Sequence, residues 1–287
     1  MLSFNNPTTV DAAVAWLAQG SGRRVLAGGT DLLVQLRGGR LKADGILDLK
    51  RIPELKAIRA DKSGFRIGAA VSGAEIGEHP AISKMWPGVV EALNLIGSTQ
   101  IQGRASLGGN LCNASPAADS VPALIAAGAV CTLAGPSGRR EVLVETVVTA
   151  PGKTILGAGE FIVDFWLPPQ AKQAGDAYLR FIPRTEMDIA VVGVGVNLEL
   201  DGQGRCTRAR VALGAVAPRP LLVEAAGRAL VGTTIDAAAL EALAAAASAA
   251  CAPINDKRGT IEFRTQVAGV LARRAASIAL TRARSGA

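Results

Sequence analysis

The pattern of apolar and polar positions predicts mixed helices and strands in the N-terminal part of the chain. Residues 10–17 carry apolar side chains at the helical spacing i, i+3, i+4, i+7, preceded by two threonines and followed by Gly20. This spacing is typical of a capped amphipathic helix that ends at a glycine. The positions that follow predict a strand at residues 25–27, a turn at 28–31, a helix at 32–37 and a strand at 46–49.

The middle of the chain continues this mixed pattern. Polar residues 61–64 separate two β-like runs, and Ser72 and Glu75 have the spacing of a capping box that opens a short helix. Residues 106–119 are small and polar, which predicts a long loop. The other elements predicted here are a helical stretch at 88–96, a helix at 121–127 ending at Gly128, a hairpin through 135–138 and a strand at 160–167.

The pattern of apolar and polar residues in the C-terminal third differs from that of the preceding part and predicts a second domain. Two β-like runs at 189–200 and 206–213 flank a turn, and helical patterns follow at 221–230, 236–250 and 261–284. Pro168 and Pro169 precede a segment, 170–176, that reads as a linker. We therefore expect an α+β protein with domains at residues 1–170 and 176–285.

Charge does not favour a nucleic-acid partner. The chain has 31 Lys and Arg against 24 Asp and Glu, a net charge of +7, but only 3% aromatic residues. Basic residues occur singly or in pairs without interleaved aromatic rings that could stack on bases. Charged residues on a solvated surface explain this composition better, and we expect no nucleic acid.

Scarce histidine and scattered cysteine restrict the possible chemistry. His79 is the one histidine of the 287 residues, so a serine hydrolase triad or a histidine-rich metal site would depend on it alone. The cysteines form no CxxC pair, so neither a zinc nor an iron–sulfur site is expected in this chain. The N-terminal residues lack the pattern of a secretory signal. The longest uncharged run, residues 120–138, contains prolines and glycines that would break a membrane-spanning helix. We therefore expect a cytoplasmic protein without a transmembrane segment.

Two glycine-containing segments are the candidates for chemistry. Gly28 and Gly29 lie between a predicted strand and a predicted helix, where successive N–H groups can form a concave anion site. A plain tight turn explains the same residues. In the second segment, Asn110 and Asp119 could hydrogen-bond sugar hydroxyls or a ring edge, although Asp119 could equally cap the next helix. The absence of GxGxxG and GxxxxGK argues against Rossmann and P-loop folds.

The segments VLAGGTDL at 25–32 and ASLGGNLCNASPAAD at 105–119 together resemble the FAD-binding medium subunit of molybdenum hydroxylases. That family includes the flavoprotein subunits of carbon monoxide dehydrogenase and of bacterial xanthine and N-heterocycle dehydrogenases. The segment RTEMDIA at 184–190 and the helical tail also resemble the family's C-terminal domain. The resemblance implies a two-part FAD-binding domain of the vanillyl-alcohol-oxidase (PCMH) type, followed by a smaller α+β domain.

The same resemblance implies a noncovalent FAD and a set of binding residues, with no catalytic residue and no metal ligand in this chain. Two departures are visible: Arg180 stands where eukaryotic xanthine dehydrogenases have a lysine, and Ile189 stands where carbon monoxide dehydrogenase has a tyrosine. The implied FAD-binding residues are Val25, Leu26, Ala27, Gly28, Gly29, Thr30, Asp31, Leu32, Ile96, Ser106, Leu107, Gly108, Gly109, Asn110, Asp119, Ile162 and Arg180.

The function implied by the resemblance is electron transfer within a complex. A large molybdopterin-binding subunit would oxidise the organic substrate, and a small subunit with [2Fe–2S] clusters would relay electrons to the flavin of this chain, in a dimer of heterotrimers. Molybdopterin and clusters are expected only in those partners. The alternative is a self-sufficient FAD-dependent oxidase or reductase of the same domain class, which would need its own acid–base groups; the scarcity of histidine and tyrosine disfavours it.

Overall fold

The computed structural model describes residues 2–62 and 64–286. Its N-terminal layer is a parallel sheet of three strands in the order β1-β3-β2. Because parallel strands need crossover connections, the intervening segments carry two helices. Thr9 caps the first helix by accepting a hydrogen bond from the Ala12 N–H, as the sequence predicts. The elements are β1 (Ser3–Asn5), α1 (Val10–Leu17), β2 (Arg23–Leu26), α2 (Leu32–Arg37) and β3 (Gly45–Asp48).

A five-stranded antiparallel sheet forms the second layer, in the order β4-β5-β10-β6-β7. The predicted hairpin is confirmed, since Gly135 pairs with Gly138 and the latter has a positive φ of 99°. Its strands are β4 (Ile58–Asp61), β5 (Gly64–Gly68), β6 (Val130–Gly135), β7 (Gly138–Leu143) and β10 (Phe161–Leu167), with a small hairpin of β8 (Val148–Ala150) and β9 (Lys153–Thr154) inserted before β10.

Six helices connect β5 to β6 and bring the second glycine segment beside the first. They are α3 (Gly73–Gly77), α4 (Pro80–Met85), α5 (Pro87–Asn94), α6 (Thr99–Gln102), α7 (Leu107–Cys112) and α8 (Ser120–Ala127). The predicted capping box at Ser72 and Glu75 is confirmed. The prediction of one long loop at 106–119 is wrong, because α7 lies within it. Leu107 and Leu111, four positions apart, are both fully buried, and this burial stabilises a helix that the small residues alone do not suggest.

The C-terminal part is an antiparallel sheet covered by helices. Its strands are β11 (Ala174–Phe181), β12 (Val192–Leu200), β13 (Cys206–Gly214) and β14 (Leu221–Leu222), and its helices are α9 (Glu224–Arg228), α10 (Ala237–Ala249) and α11 (Ile261–Ser285). Three predicted bounds are corrected: β11 begins inside the expected linker, β12 begins three residues after position 189, and residues 221–230 form a short strand before a short helix. Within the described residues no helix is long and apolar enough to cross a membrane.

The two parts meet where α8 packs on the C-terminal sheet. A Cβ on Gly195 of β12 would lie 2.6 Å from the Pro122 carbonyl oxygen, so the strand lies directly on the helix backbone. Buried and half-buried polar side chains lie where α5 and α8 meet β11 and α11, and we call this contact the seam: Glu91, Asp119, Asp176, Tyr178, Arg180 and Arg282. The hydrophobic core above it lies almost wholly in residues 65–167, and the core below it in residues 177–283.

Candidate cofactor-binding site

A cavity of about 550 Å³ lies between the two glycine segments. Its size is within the range of small-molecule and cofactor sites. Among the residues implied by the resemblance, those that line it are Val25, Ala27, Gly28, Gly29, Thr30, Asp31, Leu32, Ile96, Ser106, Gly108, Gly109, Asn110 and Ile162. The structure therefore brings together most of the implied residues at one site.

The first glycine segment presents a row of free backbone donors. None of the backbone N–H groups from Gly28 to Leu32 donates a hydrogen bond to another described residue, although all of these residues line the cavity. Gly29 has a positive φ of 82°, which a residue with a side chain rarely adopts. Unpaired backbone donors at a concave surface suit a phosphate group, because they compensate its charge without a counter-ion.

Two contacts hold this segment in place. A Cβ on Gly28 would lie 1.8 Å from the carbonyl oxygen of Arg104, so the segment rests on the chain that leads into the second glycine segment. On the other side, Lys50 Nζ donates to the Ala27 carbonyl at 2.9 Å and to Asp48 Oδ1 at 2.7 Å. The loop is therefore fixed by its own protein contacts, and its free N–H groups are not the result of a loose chain.

The second segment uses its donors internally. Ser106 caps α7 by accepting from the Gly109 N–H at 3.2 Å, and the Gly108 N–H donates to the Ala69 carbonyl. A Cβ on Gly109, in contrast, would meet only the Ser106 Oγ at 3.4 Å. Gly109 therefore leaves room that a side chain would fill, on a helix that borders the cavity. A void of this kind beside the free N–H row fits an extended dinucleotide.

Asn110 links the cavity to α8. Its Oδ1 accepts from both the N–H and the Oγ of Ser120, at 3.3 and 2.7 Å. The side chain thus caps α8 while the residue lines the cavity. The capping role proposed for Asp119 is wrong, because its carboxylate makes no cap hydrogen bond.

Asp119 and Arg180 lie outside the cavity lining, in the seam. Tyr178 Oη and Arg180 Nη1 each donate to the Asp119 carboxylate at 2.8 Å. Burial raises the pKa of Asp119 to about 6, and the charge of Arg180 opposes this shift. Burial also raises the pKa of Tyr178 well above its ordinary value. Leu26 and Leu107 likewise do not line the cavity. A direct contact of these residues with FAD stays a prediction.

Several lining residues were not anticipated from the sequence: Arg24, Gln35, Leu41, Leu49, Ala69, Ala105, Cys112, Asn113, Gly152, Leu156, Glu160 and Phe161. Gln35 and Asn113 share a hydrogen bond of 2.9 Å although they are 78 positions apart, so no local pattern could have paired them. Cys112 has its exposed surface at the cavity, yet the surrounding atoms raise the pKa of its thiol to about 12. Because the reactive form of cysteine is the thiolate, this raised pKa does not favour a nucleophilic role for Cys112.

His79 and Ile189 have no part in the cavity. The Nδ1 of His79 accepts from the Ile82 N–H at the start of α4, and its ring packs edge-on against Phe65. Ile189 is 53% exposed in the segment between β11 and β12. The histidine therefore has a structural explanation.

Comparison with known proteins assigns both parts of the chain. The family described as FAD binding domain in molybdopterin dehydrogenase matches residues 1–170, and that described as CO dehydrogenase flavoprotein C-terminal domain matches residues 177–279. The chain is 31% identical to the putative xanthine dehydrogenase FAD-binding subunit of Escherichia coli K12, over 98% of this chain and 97% of that protein.

Similarity to the carbon monoxide dehydrogenase of Hydrogenophaga pseudoflava is as extensive. Its medium chain is 33% identical, over 97% of each protein. A chain in a solved structure of that enzyme superposes with a TM-score of 0.94 and 34% identity over 98% of both chains. The expected fold class, the FAD cofactor and the oxidoreductase class are confirmed. The chain belongs to the family of FAD-binding subunits of molybdopterin-dependent dehydrogenases, the molybdenum hydroxylases.

Proposed function

We propose that this chain holds one noncovalent FAD in the cavity and passes electrons from the [2Fe–2S] clusters of a partner subunit to a terminal acceptor. The observation that carries the proposal is the row of unpartnered N–H groups from Gly28 to Leu32, opposite the open surface at Gly109. Family membership supports the cofactor, and this geometry supports its proposed position in the cavity.

Each side of the cavity has a separate task in this proposal. The N–H groups of residues 28–32 bind the pyrophosphate, and Lys50 keeps their loop in position through the Ala27 carbonyl. The cap of α7 by Ser106 keeps Gly109 against the dinucleotide. Ile96 and Ile162 provide apolar surface at the cavity wall. Together these contacts orient the cofactor and exclude water from part of it.

The bound flavin supplies the ability to exchange electrons singly with iron–sulfur clusters and in pairs with other acceptors. Two carboxylates, those of Asp31 and Glu160, line the cavity in the described part of the chain. Glu160 is engaged by Arg140 Nε and Nη2 at 2.8 and 2.7 Å, and this hydrogen bonding holds the pKa of Glu160 below its usual range. In this proposal the organic substrate is oxidised by a partner.

The partners proposed are a large molybdopterin-binding subunit and a small iron–sulfur subunit, assembled as a dimer of heterotrimers. Support comes from the named relatives, which are a medium chain and an FAD-binding subunit. We also propose the domain division at residues 1–170 and 176–285. It is supported by the separate hydrophobic cores on the two sides of the seam.

The first experiment tests the form of the cofactor. We expect one FAD per chain in the purified holo-complex, and we expect acid denaturation to release it into the supernatant. Flavin that stays with the precipitated polypeptide would contradict noncovalent binding. Well-folded holo-complex without flavin would contradict the proposal as a whole.

The second experiment tests the electron-transfer role. The substrate of the molybdenum subunit is mixed rapidly with holo-complex and with complex stripped of FAD. We expect cluster reduction to survive in the stripped sample, whereas turnover with the physiological acceptor fails and returns when FAD is added. If the stripped complex turns over at full rate, or if the isolated chain oxidises the substrate unaided, the assigned role is wrong.

A further inference from the structure

One segment beside the cavity is only weakly attached to the rest of the protein. Residues 32–43, which we call the flap, consist of α2 and the loop that leads towards β3. None of them is buried, and none belongs to a hydrophobic core in the described part of the chain. A short helix in a protein takes most of its stability from the burial of an apolar face. The flap lacks this source of stability.

Hydrogen bonds attach the flap to the remaining protein at a single point. Among the described residues, its backbone groups form hydrogen bonds only within residues 29–43. One side-chain bond leaves this range: Gln35 Nε2 donates to Asn113 Oδ1 at 2.9 Å. Elements with little buried surface and few external bonds open locally at a low free-energy cost. The bond between Gln35 and Asn113 is therefore the main tether of the flap.

The two ends of this bond differ in how firmly they are held. Asn113 follows the last residue of α7, and Leu111 and Ala114 on either side of it are fully buried. The Ala114 carbonyl also accepts a hydrogen bond from the Gly152 N–H at 3.0 Å. Asn113 is therefore fixed to the core, whereas Gln35 lies on a helix without buried residues.

The bond also connects the two sides of the cavity. Gln35 follows the first glycine segment and Asn113 follows the second, and both residues line the cavity. Leu32 and Leu41 of the flap line it as well. When the bond is formed, the flap is held against the cavity. When the bond is broken, no other hydrogen bond to the described residues keeps the flap there.

We propose that Gln35 and Asn113 form a latch that holds the flap closed over the dinucleotide and sets the rate at which FAD enters and leaves. This inference rests on the proposed function, since the flap can retain FAD only if the cavity binds it. The latch consists of groups of this chain alone, so it stabilises the closed flap with and without FAD. Breaking it should speed entry and release by the same factor and leave their ratio, the Kd, unchanged.

The decisive variant is Gln35→Leu in the full chain, because leucine has no hydrogen-bond donor. Uptake is measured from flavin absorbance after the chain, stripped of FAD, is mixed with FAD, and release from the exchange of bound FAD for radiolabelled FAD. We expect both rate constants to rise about fivefold, the factor that one neutral hydrogen bond contributes, with unchanged Kd and melting temperature. Gln102→Leu is the matched control, because Gln102 Nε2 donates to the Asn94 carbonyl outside the cavity lining.

Three outcomes would overturn the latch. Unchanged rates in Gln35→Leu would do so, and so would an equal rise of both rates in Gln102→Leu. Faster release with unchanged uptake would raise the Kd and show that Gln35 contacts FAD directly. A wild-type chain that takes up no FAD would contradict the proposed function together with this inference, whereas normal uptake in the wild type with unaffected variants overturns the inference alone.

Variants of Asn113 test whether the two residues act as one unit. Asn113→Ala should raise both rates as Gln35→Leu does, and the double variant should be no faster than either single variant, because all three lack the same bond. Asn113→Asp keeps an acceptor for Gln35 and adds a charge, so the bond should strengthen and both rates should fall below the wild-type values. Rate increases that multiply in the double variant would show that the residues act separately and would overturn the latch.

Tryptic cleavage tests the opening of the flap without FAD. Arg37, Arg40 and Lys42 are potential cleavage sites within the flap. Because cleavage of a locally opened segment follows the population of its open form, we expect cleavage after these residues to be about fivefold faster in Gln35→Leu than in wild type. Equal cleavage rates in the two chains would contradict the role of Gln35 in closing the flap.

Discussion

The cavity and the seam differ in how far their polar groups are hydrogen-bonded within the chain. The N–H groups of residues 28–32 border the cavity and have no hydrogen-bond partner in the described chain. At the seam, Asp119 is engaged by Tyr178 and Arg180, and Glu91 is engaged by Arg282 and by the Tyr178 N–H. Unpaired buried polar groups are costly unless something else satisfies them.

The difference separates two tasks that the resemblance had placed together. The cavity has backbone N–H donors that no other described residue uses, as is typical of a ligand site. The seam pairs most of its charged groups with one another, although Asp176 Oδ1 and Arg180 Nε have no hydrogen-bond partner among the described residues. Such internal pairing is typical of a structural contact between two parts. Asp119 and Arg180, implied as FAD-binding residues, belong geometrically to the seam. Variants in the two regions should therefore change stability and FAD binding to different extents.

The largest effect is expected from Gly28→Ala. Its Cβ would lie 1.8 Å from the Arg104 carbonyl oxygen, and a backbone atom cannot move aside as a side chain can. We expect the free energy of unfolding to fall by about 5 kcal/mol and FAD to be lost with it. Urea unfolding and flavin content are the measurements. Gly109→Ala is the control, because a Cβ there would meet only the Ser106 Oγ, at 3.4 Å. Similar stability in both variants would contradict the close packing of the first segment.

The next effect is expected at the seam, from Asp119→Ala. Removing the carboxylate leaves the buried Arg180 and Tyr178 groups unpaired, which should cost about 3 to 5 kcal/mol of unfolding free energy. We also expect FAD affinity to weaken by about 1 to 3 kcal/mol, because Asp119 adjoins Ser120, which Asn110 holds at the cavity. Melting temperature and FAD titration measure the two effects.

Asp119→Asn separates the two roles of this residue. It keeps an acceptor for Tyr178 but removes the charge that pairs with Arg180. Both effects should be intermediate in this variant. If FAD affinity is the same in wild type, Asp119→Asn and Asp119→Ala while stability falls, Asp119 acts in the seam alone, and its implied place in the cofactor site is removed.

A smaller effect is expected from Gly109→Val, which should weaken FAD binding without unfolding the C-terminal part. The side chain would enter the space beside α7 that the cavity leaves open. We expect FAD retention to weaken about 100-fold, or about 2.7 kcal/mol, with the C-terminal part still folded. Flavin content after gel filtration and far-ultraviolet circular dichroism measure the two properties. Unchanged FAD occupancy would remove Gly109 from the site.

The fold and the first glycine segment were predictable because their signals are local. A glycine pair between a strand and a helix is visible within eight residues, and the spacing of residues 10–17 predicts α1 directly. Helix α7 was missed because its stabilising burial depends on what packs over Leu107 and Leu111. The partners of Asp119 lie 59 and 61 positions away, so only the assembled structure shows that its charge is already used.

The smallest expected effect is a change in pH dependence at a second point of the seam. Asp176 is 4% exposed, and its Oδ1 has no hydrogen-bond partner among the described residues. The Gly88 N–H, Glu91 and Arg282 face it from α5 and α11, and Gln170 lies beside it. Burial raises the pKa of this carboxyl to about 7. The folded state therefore holds the proton more tightly than the unfolded chain does.

Such a group stabilises the fold fully below its unfolded pKa, near 3.8, and this contribution is lost as the pH rises through about 7. Asp176→Asn carries no charge at any pH and removes this dependence. We expect the wild type to lose about 2 kcal/mol relative to Asp176→Asn between pH 5 and pH 8, measured by urea unfolding. Asp201→Asn is the control, because hydrogen bonds from the Arg205 and Gln203 N–H groups lower the pKa of Asp201 out of this range. A difference between wild type and Asp176→Asn that stays constant from pH 5 to pH 8 would show that Asp176 is ionised throughout. The seam would then hold two carboxylates, Asp176 and Glu91, against the single charge of Arg282.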